Sequence, residues 1–170
     1  MIYPIIGIVN VGSTKRYIPA VTNADLDYDP PRRVRQMPSW LVGMVGQRAQ
    51  ALVAEALAGE GMRRQHFTVL TSLAEQGEAS QAALGRRLWI DPSDLHAIAE
   101  ELERDGLIAR VRDPDDRRRN VVTITAAGRA TLKRLDALID QAQRELLSPL
   151  TARERRELLR LLERLIQPAG

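Results

Sequence analysis

This chain of 170 residues has no cysteine. That excludes thiol catalysis, disulfide bonds and cysteine-ligated zinc or iron–sulfur clusters. Histidine occurs only twice, as His66 and His96, so a metal site would need mostly carboxylates; no metal and no cofactor is expected. Long apolar runs are missing too. The apolar opening Met1–Gly12 has no basic leader before it and is far too short to span a bilayer, which predicts a cytoplasmic protein with no membrane partner. There is no phosphate-cradling glycine loop, no nucleophile elbow and no closely spaced acid–base pair with a third orienting group, so no catalytic residues and no enzyme activity are expected. Charge is nearly balanced, with 25 Lys+Arg against 22 Asp+Glu and a formal net charge of +3. A bulk excess this small says little, and the placement of the charges must carry the argument. Arginine dominates the basic residues and suits phosphate and base recognition better than lysine.

The most informative stretch is Leu102–Gly128, "LERDGLIARVRDPDDRRRNVVTITAAG". A helix stopped by Gly106 runs into two short alternating segments joined by a turn that holds Pro114 and three consecutive arginines. Leu107, Ala109 and Val111 fall at one parity and Arg110 and Arg112 at the other. This predicts a strand whose buried face carries the first three. Val122 and Ile124 repeat the pattern after the turn. A basic hairpin that follows a helix in this way reads as the wing of a winged helix-turn-helix, a DNA-reading device.

The rest of the chain is organised around that hairpin. In residues 1–37 the prolines Pro4, Pro19, Pro30 and Pro31 and the charged stretch "DLDYDPPRRVRQM" forbid a long helix. The segment reads as an N-terminal arm of irregular structure. Ile5–Val11 could be a strand, but no partner strand is expected before the wing, and pairing with a second subunit is one use for it. A start codon at Met37 is a competing explanation. Six helices are predicted after Pro38: Ser39 to about Ala58, a second marked by Phe67, Val69, Leu70 and Leu73 and ending at Gly77, Ser80–Leu88, and a fourth opened by Asp91-Pro92. That fourth helix should bury Leu95, Ile98, Ala99 and Leu102. After the wing, Thr125 caps a fifth running towards Leu147. Thr151-Ala-Arg-Glu154 is a capping box for a sixth, whose stripe is Leu158, Leu161, Leu162 and Leu165. The architecture is mainly α with a small β-hairpin wing. Residues 61–125 form the DNA-reading lobe, and 38–60 with 126–168 form a helical dimerisation lobe whose leucine surplus implies a homodimer.

From Ser39 to Ile166 the chain resembles the MarR family of bacterial regulators. The landmarks are "RRQHFTVLTSL", "LGRRL", "LERDGLI", "DPDDRRRNVVTITAAGR" and "LTARERRELLRLLERL". The most specific part is Asp116-x-Arg118 followed by Thr125-x-x-Gly128. The resemblance implies a homodimeric repressor that binds a palindromic double-stranded DNA operator. It also implies release by a small anionic or aromatic effector held between the two lobes. With no cysteine, the peroxide-sensing branch of the family is excluded.

By the resemblance, Arg118 at the wing tip enters the minor groove and Asp116 orients it. Arg117 and Arg119 reach phosphates or stay in water. On the recognition helix Ser93 and His96 are base-contact candidates. Asp94 either accepts from a cytosine amine or supports the helix dipole, the second being favoured. Gln81, Arg86 and Arg87 are candidates for the DNA backbone. Trp40, Trp89, Arg48 and His66 are the effector-pocket candidates, since such a pocket needs aromatic walls and a cation. The recognition helix is unusually acidic, with Asp91, Asp94, Glu100 and Glu101. That feature supports an alternative function, a MarR-like protein-interaction module that has lost specific DNA binding.

Overall fold

Local capping chemistry fixes most of the element boundaries. The computed structural model describes residues 5–11, 14–21, 30–112 and 120–167, with side chains over 30–111 and 121–167. Its elements are β1 (Ile5–Val11), β2 (Thr14–Val21), α1 (Arg32–Arg35), α2 (Pro38–Ala58), α3 (Arg64–Gln76), α4 (Gln81–Leu88), α5 (Pro92–Arg104), β3 (Ile108–Arg112), β4 (Asn120–Ile124), α6 (Ala126–Leu146) and α7 (Ala152–Ile166). Ser80 starts α4 by accepting from the Ala83 amide at 3.2 Å, and Asp91 starts α5 by accepting from Ser93 at 2.9 Å. Each side chain satisfies an amide that has no partner within its own helix. At α7 the expected box forms: Glu154 accepts from the Thr151 amide at 2.7 Å, and Thr151 Oγ1 from the Glu154 amide. These bonds, chiefly from the Thr151 hydroxyl, hold the Glu154 carboxyl below the usual carboxylate range.

Two expectations are corrected. First, Ile5–Val11 does have a partner ahead of the wing, because β2 pairs with it antiparallel in a register that includes Val11↔Thr14. The sequence Gly12-Ser13 between the two strands is a hairpin signal that the proline-rich composition masked. Second, the buried parity of β3 is the opposite of the one expected. Ile108 is buried while Val111 is exposed, and Ala109 is only half-buried. Leu107 is buried, but it lies outside the strand, at the corner where the chain leaves α5. Apolar residues occupy both parities of "LIARV", so alternation alone could not set the phase. The cross-strand pairs Ile108↔Ile124 and Arg110↔Val122 set it instead.

The chain divides into two compact units, one of residues 54–139 and one of 1–53 with 140–170. In the first, α3, α4, α5, β3 and β4 share one core. Leu95, Ile98, Ala99 and Leu102 of α5 are buried as their spacing requires, together with Val69, Leu70 and Leu73 of α3, Leu84 of α4, and Ile108 and Val122. Ala79, between α3 and α4, adds a backbone bridge to the wing sheet, with Val122 donating to its carbonyl at 2.8 Å. In the second unit α7 buries no residue within the chain, and Leu159, Leu161, Leu165 and Ile166 are exposed, as are Leu41, Val42 and Val45 of α2.

The motif Thr125-x-x-Gly128 has a physical origin at the foot of the wing. Thr125 Oγ1 donates to the Gly106 carbonyl at 2.7 Å and accepts from the Gly128 amide at 2.9 Å, while the Thr125 amide donates to the Leu107 carbonyl at 3.0 Å. The first turn of α6 is thereby seated on the corner between α5 and β3. At residue 128 any Cβ would overlap the Leu107 carbonyl oxygen and lie 2.8 Å from Ile124 Cγ1. Gly128→Ala should therefore destabilise the protein by about 2–3 kcal/mol, because backbone and not a flexible side chain must move. Urea denaturation checks this: the midpoint should fall with the slope m unchanged.

Candidate nucleic-acid interface

The candidate recognition surface is the outward side of α5. Leu95, Ile98, Ala99 and Leu102 take the inward stripe, and helical geometry leaves Ser93, Asp94, His96, Ala97 and Glu100 exposed. Asp91 and Pro92 fix the N-terminal end of this helix, and the Ser93 hydroxyl donates back to Asp91 Oδ1. Asp94 lies in the first turn, where its charge meets the positive end of the helix dipole. His96 Nε2 lies 3.2 Å from Glu100 Oε1, one turn along and equally exposed.

The structure brings several of the expected contacts together beside α5. A cavity of about 460 Å³ between α4 and α5 is lined by Gln81, Arg86, Ile90, Pro92, Leu95 and His96 among others. Gln81 Nε2 is buried there with no hydrogen-bond partner among the described residues. The adjacent arginines differ: Arg86 lines this cavity, whereas Arg87 turns to α3 and donates to Ser72 Oγ at 3.4 Å. Asp116, Arg117, Arg118 and Arg119 lie outside the described residues.

The four effector-pocket candidates are divided between the two units. Trp40, half-buried, and Arg48, exposed, lie on the part of α2 that belongs to the 1–53 and 140–170 unit. His66 and Trp89 belong to the other. Trp89 is 95% exposed and lines a second cavity, of about 400 Å³, with Arg63, Arg64, Asp91, Asp94 and Glu101.

His66 is instead part of a polar clasp. It is 5% exposed, and its Nδ1 accepts from the Arg63 amide at 3.2 Å. In the neutral ring the proton therefore sits on Nε2, which donates to Glu101 Oε2 at 2.7 Å. Arg63 Nη2 donates to the same carboxylate oxygen. Both imidazole nitrogens are occupied within the chain, and the ring ties the start of α3 to the middle of the recognition helix. The hydrogen bond from His66, then that from Arg63, holds the Glu101 carboxyl below its ordinary value of 4.5. Arg63 and Glu101 were not anticipated as partners. They stand 38 positions apart, and no local pattern joins them. Arg110 was not anticipated as a partner of Glu103 either; its Nη1 meets Glu103 Oε2 at 3.2 Å.

Comparison with known proteins now bears on this surface. A family model described as the MarR family matches residues 60–119, which run from just after α2 to just before β4. The HTH-type transcriptional repressor Rv2887 of Mycobacterium tuberculosis is 32% identical over 126 residues, covering 74% of this chain and 91% of that protein. The chain belongs to the MarR family. Two solved structures extend the likeness to the whole winged-helix arrangement. A MarR variant from Escherichia coli complexed with operator DNA superposes with a TM-score of 0.68 at 26% identity, covering 81% of this chain and 100% of that one. CouR from Rhodococcus jostii, bound to p-coumaroyl-CoA, does so with a TM-score of 0.68 at 26% identity, covering 82% and 99%. The protein is thus a MarR-type winged helix-turn-helix regulator. Among the described residues no helix is long and apolar enough to cross a membrane.

The clasp makes a pH-dependent prediction. A carboxyl whose folded-state pKa is depressed stabilises the fold above its unfolded pKa and loses that contribution as pH falls through the folded value. Glu101→Gln should accordingly lower the melting temperature relative to wild type by a constant amount at neutral pH. The gap should close as pH drops below the ordinary carboxyl value of 4.5. Paired thermal melts between neutral pH and pH of about 3 test it; a gap that persists at the acid end would show that the carboxylate charge is not what the clasp uses.

Proposed function

We propose that this protein is a homodimeric repressor that places α5 of each subunit in the major groove of a palindromic operator. A small anionic or aromatic effector releases it. The observation that carries the reading is the exposed, unburied side of α5, with Ser93, Asp94, His96 and Ala97 presented next to Arg86 and Gln81. It is set in the same fold as a MarR protein complexed with operator DNA. The wing supplies Arg118, oriented by Asp116, to the minor groove, with Arg117 and Arg119 on the flanking phosphates. Arg86 is the stronger backbone contact of its pair, since Arg87 is engaged with α3.

The acidity of the recognition helix does not favour the protein-interaction alternative. Glu101 is paired with Arg63 and His66, Glu100 lies against His96, Glu103 meets Arg110, and Asp91 is a helix cap. These pairings and the cap give most of the acids work within the lobe and lower the repulsion that phosphates would meet there.

The dimer is supported by the apolar side chains that α2 and α7 leave exposed in the single chain. Effector release is supported by CouR with its bound acyl-CoA. Arg48 would meet the anion and Trp40 the aromatic ring. A tenfold loss of DNA affinity needs about 1.4 kcal/mol of coupling between the two sites.

Light scattering should report twice the chain mass of 19.0 kDa. Footprinting should show two half-sites with centres roughly 10 bp apart, or a multiple of that turn. Arg118→Ala should cost about 1–3 kcal/mol of binding and lower the salt slope by about one unit, because one phosphate-neutralising charge is lost. His96→Ala should relax preference at one base position with little change in slope. Unchanged affinity and slope in Arg118→Ala would remove the wing from the DNA and revive the interaction-module reading.

A further inference from the structure

Trp89 occupies a position whose backbone calls for glycine. It directly follows α4 with φ 54 and ψ 38, the one positive φ at a non-glycine among the described residues. The turn is closed by the Ile90 amide donating to the Gly85 carbonyl at 3.1 Å, with the Trp89 amide bonded to the same carbonyl. Helix ends of this type usually carry glycine at the left-handed residue, because a Cβ there crowds the following carbonyl. Packing within the chain does not compensate, since the indole is 95% exposed. A solvated surface residue is ordinary by itself. A large aromatic held in a strained backbone conformation, with almost all of its surface in water, points to a contact outside the chain.

Its place in the fold indicates which contact. Trp89 stands two residues before Asp91, the N-cap of α5, and the N-terminal end of a recognition helix is the end that reaches base edges. With that end in the groove, the turn leading into it would lie beside the sugar–phosphate strand at the groove's border. The cleft at Trp89 is lined by both signs of charge, Arg63 and Arg64 with Asp91, Asp94 and Glu101, and Arg63 and Glu101 are already paired with each other. A neutral indole suits such mixed surroundings. Its apolar face can lie on a deoxyribose, and its single N–H can donate to a phosphate oxygen. We propose that Trp89 is a DNA-backbone contact at the edge of the major groove, adding affinity without sequence preference. The proposal rests on the DNA-binding reading above and reassigns Trp89 from effector to DNA.

Two variants test it in the full-length protein, with the footprinted operator and an unrelated duplex as probes. Trp89→Asn places there a residue that tolerates the left-handed region, and Trp89→Phe keeps a ring but removes the N–H. Trp89→Asn should melt at the wild-type temperature or about 2–4 °C above it, since strain is relieved. It should nevertheless bind both duplexes about tenfold more weakly, as loss of a ring contact and one charge-assisted hydrogen bond implies. Its salt slope should match wild type, because a neutral side chain displaces no counterion. Trp89→Phe should fall between the two. Operator should quench tryptophan emission in wild type and less in Trp89→Asn, where Trp40 remains. Equal DNA binding by wild type and Trp89→Asn would overturn this proposal alone. So would a loss confined to one base position, a loss that only tracks a lowered melting temperature, or intact binding with failure to respond to effector or to a protein partner. A wild-type protein that binds neither duplex would overturn the regulator reading as well.

Discussion

One carbonyl organises the DNA-reading unit. Leu107 donates its amide to Leu102 at the end of the recognition helix, and its carbonyl accepts from Thr125 at the start of α6. The helix, both wing strands and the following long helix therefore meet at a single residue. Thr125 completes the junction by bonding to Gly106 and Gly128. Gly128 leaves room for the oxygen. The junction is partly buried, and leaving any of its hydrogen bonds unmade would cost free energy, so α5, the wing and the start of α6 are tied to one another.

A second constraint is electrostatic. A helix meant to approach phosphates carries several carboxylates, which would weaken binding if each faced the DNA as a bare charge. The fold answers by pairing them. Arg63 and His66 hold Glu101, and Arg110 of β3 holds Glu103. These pairs are partly exposed and contribute modestly to stability. Their larger effect is on shape, because Arg63 and His66 stand at the start of α3 and pin α5 against it, while Arg110 ties α5 to the wing. Charge neutralisation and alignment of the reading surface are the same set of contacts.

The two units differ in how complete they are. The unit of residues 54–139 has a closed core, with Leu57, Leu70, Leu84, Leu95 and Leu102 all buried. The unit of residues 1–53 and 140–170 leaves apolar side chains of α2 and α7 in water. That surface is the one the proposed homodimer would cover. Trp89 is a different kind of exposure: a single aromatic on a strained turn, where the cause lies in what the DNA-reading unit meets.

Much of this was legible in the sequence, because the deciding interactions were local. Asp91-Pro92, Ser80 and the Thr151–Glu154 box set helix starts through bonds to amides two or three residues away. The stripe Leu95, Ile98, Ala99, Leu102 needs only the helical period to define its inward face. The wing was readable from its turn and its alternation, and the family from the motifs around it. Contacts between distant residues were not readable. The parity of β3 waited on the pairing of Ile108 with Ile124, and the β1–β2 hairpin on a partner strand that the surrounding prolines obscured. His66 looked like a lone histidine free for a ligand until Glu101, on another helix, closed on its second nitrogen. Trp89 does line a cavity, but no pattern along the chain showed that its backbone lies in the left-handed region with its ring in water. The sequence alone thus determined where elements begin, which faces are apolar and which family they form, since those depend on neighbours along the chain. Tertiary structure decided which charges are neutralised and which side chains remain to meet a partner, since those depend on neighbours brought together only when the chain folds.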